Sequence, residues 1–335
     1  MANSTSRVLV TDSEYRKAEA RFRSAPGLEC LRAPDVEADL ASAVRETHAA
    51  HVVVGPGLYS GALYDALRPG GVIARFGVGH DGIDKARATE AGVLCTNTPG
   101  VLNQSVAEHT TLLIAAAARR LVESSTSLKE HVWNPVIGGE LQGKTLAIVG
   151  CGAIGRSVAR IASLGYGMKV IGCSRPGVPP PNEPELFAVV TNDFAIAVRD
   201  ADFVSLHMSA RRENVHFIDH DRLALLRERT WLINTARGWM VDEGALFAAL
   251  AERRLAGAAL DVFAQEPYAP MEGSGDLRSL ANVILTPHVG SNTVEANGRM
   301  AERALQNIVF AEARAFGRMD LLNPEVLGTE RTRAQ

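Results

Sequence analysis

The stretch TLAIVGCGAIGRSVARIASLG, residues 145–165, constrains the fold of this chain more than any other. A short apolar run stops at Gly150, and the amphipathic pattern of a helix begins within three residues. Gly150 allows a sharp turn, and Gly152 removes a side chain where backbone must approach a pyrophosphate. Gly155 lets helix and strand pack closely. Ala153 and Ile154 open the helix, so their unpaired N–H groups and the positive end of the helix dipole face the same point. A strand before, a helix after and three glycines in this register predict a dinucleotide site beyond a parallel sheet.

The rest of the chain agrees with such a sheet. Short Val- and Ile-rich runs alternate with helical patterns throughout, as βαβ units require. In the first third they are RVLVTD, GLECLRA, HVVVGP, VIARFGVG and VLCTNTP. Further on they are TLAIVG, KVIGCS, FAVVT, DFVSLHM, TWLINTA, AALDVF and VILTPHV. At 335 residues the chain exceeds one ordinary core. The expected class is α/β, with two doubly wound parallel-sheet domains: a flavodoxin-like, discontinuous substrate domain and a Rossmann nucleotide-binding domain. NQSVAEHTTLLIAAAARRLVESSTSLKE, residues 103–130, reads as one long alanine-rich helix at the join. A second helical stretch after His288 returns to the first domain. The expected boundaries are 1–102 with 293–335, and 103–292. The closing EVLGTERTRAQ is polar and expected to fray.

Composition excludes several classes. A formal charge of -3 with interspersed acids and bases offers no nucleic-acid surface and no polybasic anchor. The longest apolar run, TLLIAAAARRLV, is interrupted by Arg119 and Arg120, so no membrane span is expected, and the amino terminus lacks the apolar core of a signal peptide. Cys30, Cys95, Cys151 and Cys173 show no CxxC spacing, so the expectation is small apolar fillers, no metal site and a cytoplasmic location.

About twenty residues past the glycine loop, many dinucleotide binders place an acid to hold the adenine ribose. Here KVIGCSRP, Lys169–Pro176, places Ser174 and Arg175 there. An acid facing a 2′-phosphate would meet a repulsion of roughly 4 kcal/mol per charge pair at ~4 Å and an effective dielectric of about 20. A hydroxyl and a forked cation reverse that sign. NADP(H) is therefore favoured, with NAD(H) as the alternative.

Three further polar residues follow strand patterns. INTARG places Arg237 after TWLIN, LDVFAQEP places Glu266 and Asp261 after or within AALDVF, and LTPHVGSN places His288 after VILTP. Ligands in open α/β sheets sit beyond the carboxyl ends of strands, so Arg, Glu and His are expected to converge. A hydride reaching a carbonyl carbon creates an alkoxide that needs a proton, which His288 is suited to give. A carboxylate at the other ring nitrogen, Glu266, would support the charged ring. Arg237 would grip a substrate carboxylate through two parallel bonds.

GKTLAIVGCGAIG, LINTARGWMVDEGAL, LDVFAQEP and TPHVGSNT, joined by VGHDGID and NTPGVLNQSVAEHT, together resemble the D-isomer-specific 2-hydroxyacid dehydrogenase family over roughly residues 7–325. The resemblance implies an NAD(P)-dependent oxidoreductase that interconverts a small 2-oxo acid and the D-2-hydroxy acid. It implies a homodimer built around the helix starting near Asn103. It assigns catalysis to Arg237, Glu266 and His288, and substrate carboxylate binding to Arg237 and the N–H groups of Val78 and Gly79. Around the cofactor it places Asp261, Thr235, Ala236 and Gly290 at the nicotinamide carboxamide, with His288 beside it. His207 and Met208 fall on the adenosine side, and Val106 against the ring. Ser174-Arg175 is similar to the glyoxylate and hydroxypyruvate reductase branch. Two relatives stand as alternatives, phosphoglycerate dehydrogenases and dinucleotide-sensing corepressors. The former carry an Arg-Ser pair after the third strand, where this chain reads VVVGPGLYSG.

Overall fold

A computed structural model describes residues 6–328. Twelve strands form two all-parallel sheets. Strands β1 (Ser6–Thr11), β2 (Leu28–Ala33), β3 (His51–Val54), β4 (Val72–Arg75) and β5 (Leu94–Thr96) run in the order β2-β1-β3-β4-β5. The second sheet holds β6 (Thr145–Val149), β7 (Lys169–Cys173), β8 (Val189–Thr191), β9 (Phe203–Leu206), β10 (Trp231–Asn234), β11 (Gly257–Leu260) and β12 (Val283–Leu285). Its order is β12-β11-β10-β9-β6-β7-β8. The first order is flavodoxin-like, and the second is the Rossmann order with one extra strand, so the expected fold class holds.

The chain divides into two compact units, residues 103–291 and the two flanking segments. In the 103–291 unit, successive residues of β6 enter opposite cores. Ala147 and Val149 pack with Val204, Leu232 and Leu260, whereas Leu146 and Ile148 pack with Val170, Ile233 and Ile284. A sheet buried on both faces needs apolar residues at every position, which is why these strands read as continuous runs. Each fully buried Leu or Ile contributes about 1.5–3 kcal/mol relative to exposure. In the flanking unit, Leu9, Val52, Val54 and Ile73 are the centre of the core.

One expectation is corrected. Residues 103–130 are not one helix: Asn103–Ala118 ends before Arg120, which is left-handed (φ 49°), and Leu121–Lys129 begins a second helix. The first helix buries Ala107, Leu113, Ile114 and Ala117 against its own unit. The second buries nothing. Once the apolar face ends at the Arg119-Arg120 pair, no packing holds the chain to its old axis. The helix Val294–Glu312 follows the second sheet, capped by the Thr293 hydroxyl on the Ala296 N–H at 3.1 Å. Of the carboxyl-terminal stretch expected to fray, residues 325–328 lie in the 3₁₀ turn Pro324–Gly328 and residues 329–335 lie outside the described residues. Among the described residues, no helix is long and apolar enough to cross a membrane.

Candidate active site

The glycine loop joins β6 to the helix Ala153–Arg160. Gly150 has φ 104°, and a Cβ there would lie 2.6 Å from the His207 carbonyl. A Cβ on Gly155 would strike the Gly150 oxygen. Gly152 is different, because a Cβ there meets no heavy atom within 4 Å. Two glycines thus satisfy internal packing, while the third faces open space. Asp193 and Asp242 cap the starts of their helices with side-chain oxygens, but Gly152 supplies no such acceptor. The first-turn N–H groups of Ala153, Ile154 and Gly155 remain available to an anion. The loop fits a dinucleotide pyrophosphate.

Past the ends of β11 and β12 lie Glu266 and His288. His288 Nδ1 lies 2.6 Å from Glu266 Oε2, and Glu266 Oε1 accepts the Phe263 N–H at 3.0 Å. The carboxylate is therefore oriented by backbone and in turn orients the imidazole. The Nε2 of His288 has no partner among the described residues, and the side chain is about one-third exposed. His288 is held in left-handed backbone (φ 52°), unusual for a non-glycine residue. Asp261 supports it: the Asp261 carbonyl accepts the His288 N–H at 2.8 Å. The Asp261 carboxylate accepts the N–H groups of Val289 and Gly290 at 2.9 and 2.8 Å, and the Thr286 hydroxyl at 2.5 Å. His109, from the Asn103–Ala118 helix, lies 3.3 Å from the same carboxylate and 3.1 Å from Thr286. Burial alone would raise the Asp261 carboxyl, but the bonds from His109, Thr286 and the two backbone amides outweigh it and hold it below the usual range. Asp261, expected beside the carboxamide, devotes its carboxylate to this clamp. His109 and Thr286 were not singled out from the sequence, because their meeting spans 177 positions.

Arg237 follows β10, with its Nη1 donating to the Ala236 carbonyl at 2.7 Å, and Asn234 Nδ2 donating to the Arg237 carbonyl at 2.9 Å. A Cβ on Gly238 would overlap the Phe263 carbonyl carbon, so the Arg237 loop lies directly on the loop that carries Glu266. Thr235 shares a 2.8 Å hydroxyl contact with Thr110, and Val106 is buried on that same helix. Glu243 accepts the Ala264 N–H at 2.7 Å; burial, with the nearby Glu266 charge, pushes its carboxyl up.

At the other end of the sheet, Ser174 is half-buried and its N–H donates to Thr191 at 2.9 Å. Arg175 pairs with Glu213 at 2.9 Å. His207 accompanies the glycine loop, with Nε2 2.8 Å from the Ser205 hydroxyl, and desolvation lowers its pKa to about 4. Met208 packs against the core. In the flanking unit, Asn97 donates to the Val78 carbonyl at 2.7 Å, and Thr98 N–H to Gly77 at 3.0 Å. That fixes the turn and leaves the N–H groups of Val78 and Gly79 without partners among the described residues. Burial pushes the thiols of Cys30 and Cys151 up to about 11 and that of Cys95 to about 12, which suits apolar filling rather than nucleophilic work.

The chain belongs to the D-isomer specific 2-hydroxyacid dehydrogenase family, whose NAD binding domain matches residues 111–290. It is a dehydrogenase of that family, built to use a nicotinamide dinucleotide, and falls in the glyoxylate reductase branch. It is 42% identical to the glyoxylate reductase of Thermococcus litoralis over 265 residues, 76% of this chain and 78% of that enzyme. Two solved structures frame the cofactor question. The NADPH-dependent glyoxylate/hydroxypyruvate reductase of Sinorhizobium meliloti, in complex with NADP and malonate, is 28% identical with a TM-score of 0.78 and covers 98% of both chains. The D-lactate dehydrogenase of Aquifex aeolicus, complexed with NAD and lactic acid, is 27% identical with a TM-score of 0.79 over 94% of this chain and 99% of that one.

Proposed function

We propose that this protein reduces a small 2-oxo acid of the glyoxylate or hydroxypyruvate type to the D-2-hydroxy acid, with NADPH preferred over NADH. The observation that carries the reading is the His288–Glu266 pair, with one ring nitrogen held by carboxylate and the other open. The bound dinucleotide supplies the hydride. His288 Nε2 gives a proton to the carbonyl oxygen as negative charge develops there, and takes it back in the reverse direction. Glu266 fixes the tautomer and supports the positive ring. Arg237 pairs with the substrate carboxylate, and in the flanking unit the N–H groups of Val78 and Gly79 are open to an anion. Asp261 holds His288 in place from beneath. The small-substrate reading is supported by the absence of a basic pair in VVVGPGLYSG, where a phosphomonoester would need one.

Preference for NADPH is supported by Ser174 and Arg175 at the end of β7, and by the NADP complex of the Sinorhizobium relative. A homodimer is proposed because Leu128, Trp133 and Ile137 lie 58%, 85% and 90% exposed in one stretch, more apolar surface than a lone chain gains from showing. Four free cysteines suit a reducing compartment, and the cytoplasm is the proposed location.

The test is a panel of glyoxylate, hydroxypyruvate, pyruvate, phenylpyruvate and 3-phosphohydroxypyruvate with NADPH, repeated with NADH. The expected outcome is fastest oxidation with the first two acids and a higher kcat/KM for NADPH. Absence of turnover with every acid would overturn the reading.

A further inference from the structure

Glu213 is exposed, yet it is the hub of a small charge cluster. Its Oε1 lies 2.9 Å from Arg175 Nη1 and 3.6 Å from Arg211 Nη1. The two cations come from different loops, Arg175 after β7 and Arg211 after β9. Those strands flank β6, the strand that ends in the glycine loop. Neighbouring strands stand about 4.8 Å apart, so the two loops leave the sheet about 10 Å apart, a gap that two arginine side chains close. The cations therefore converge beside the dinucleotide cradle and meet on a single carboxylate oxygen. Two guanidiniums so close repel each other unless an anion bridges them. A carboxylate brings one negative charge to that position. A phosphate monoester brings nearly two, on three oxygens that match the guanidinium fork.

We propose that Arg211 and Glu213 set cofactor choice together with Ser174 and Arg175. Arg211 supplies a second guanidinium for the 2′-phosphate of NADP(H), and the Glu213 carboxylate is the resident counter-anion that this phosphate displaces. The inference rests on the reading of Ser174 and Arg175 as a phosphate-facing pair. It adds that the pair is incomplete without the loop after β9, and that the chain carries its own competitor for the site. NAD(H), with a ribose hydroxyl in place of the phosphate, leaves the cluster undisturbed. Arg212, next in sequence, makes no ion pair among the described residues and serves as a control for general surface charge.

The experiment is calorimetric titration of the full-length protein with 2′,5′-ADP and with ADP, at low and high salt, for wild type, R211Q, E213Q and R212Q. All three substituted side chains are exposed, so folding is not at stake. Wild type is expected to bind 2′,5′-ADP more tightly than ADP. R211Q should weaken 2′,5′-ADP about fivefold and flatten its salt dependence, the scale of one exposed charge contact. E213Q should tighten it about threefold. ADP affinity should stay constant in all four proteins, and R212Q should move neither ligand. If wild type favours 2′,5′-ADP while R211Q and E213Q match it, the loop after β9 has no part and this inference fails alone. If wild type binds the two ligands equally, the phosphate-facing reading of Ser174 and Arg175 fails beneath it.

Discussion

Two histidine–carboxylate pairs of nearly equal length occupy this molecule, and they serve opposite ends. His51 Nε2 lies 2.5 Å from Glu312 Oε1; His288 Nδ1 lies 2.6 Å from Glu266 Oε2. His51 opens β3 and is 2% exposed, and its second nitrogen accepts the Val72 N–H at 3.2 Å. Both nitrogens of that ring are spent inside the fold. It ties the first sheet to the end of the Val294–Glu312 helix, with Ser6 donating to the same carboxylate at 2.8 Å. His288 lies beyond the carboxyl ends of its strands, keeps Nε2 open and sits about one-third exposed. A short bond to a carboxylate therefore says nothing by itself about catalysis. The state of the other ring nitrogen, and the end of the sheet at which the ring sits, decide.

The sharpest way to break the comparison is to remove each ring. H288N is expected to lower kcat for 2-oxo acid reduction by about 10²-fold or more while leaving the thermal midpoint nearly unchanged. Near-normal turnover would remove His288 from the chemistry. An open nitrogen matters only if substrate is held against it, so R237K should raise KM for the 2-oxo acid by roughly tenfold through loss of bidentate geometry. An unchanged KM would count against that role. E266Q should lower kcat by about tenfold, because the ring loses the charge that supports it while proton transfer survives; steady-state kinetics reads this directly.

On the structural side the effects move to stability. H51N should cost about 1–3 kcal/mol in denaturant titration, since it strands a buried amide and a carboxylate, with kcat/KM unchanged. The smallest expected effect is in pH dependence. The His51 bond, ahead of the opposing effect of burial and the bond from Ser6, holds the Glu312 carboxyl down to about 2 from an ordinary 4.5. A depressed acid contributes stability that is present above its unfolded value and is lost as pH falls from about 4.5 towards 2. His207, lowered by desolvation from 6.5 to about 4, adds loss in the window between those values, because the unfolded chain takes up a proton that the folded one refuses. Denaturant midpoints at pH 7, 5 and 3.5 should fall less steeply for H207N between pH 7 and 5 and for E312Q between pH 5 and 3.5. Parallel curves for all three proteins would show that neither group is linked to folding.

Much of this was legible beforehand, for a physical reason. A parallel sheet covered on both faces must be apolar at every position, so its strands stand out as runs such as HVVV and TLAIV. The glycine spacing was legible because the left-handed φ of Gly150 and the close approach of Gly155 to the Gly150 oxygen are set within a few residues. Arg237, Glu266 and His288 could be marked as strand-end residues, since each lies within a few residues of an apolar run. The break at Arg120 was not legible: its sequence continues helically, and only the loss of a buried face ends the helix. Nor was the clamp of His109, Thr286 and Asp261, nor the bond between His51 and Glu312 across 261 positions.

The sequence alone determined the alternation of strand and helix, the phosphate cradle and the kinds of chemistry present at strand ends, because each depends on residues near one another along the chain. Tertiary structure decided which histidine keeps a ring nitrogen open and which one has both nitrogens bonded. It also decided that Asp261 braces a strained loop, and that Arg175 meets an acid from another loop. Those outcomes depend on distances between groups remote in sequence, and burial and hydrogen bonding fix such distances only once the sheets have closed.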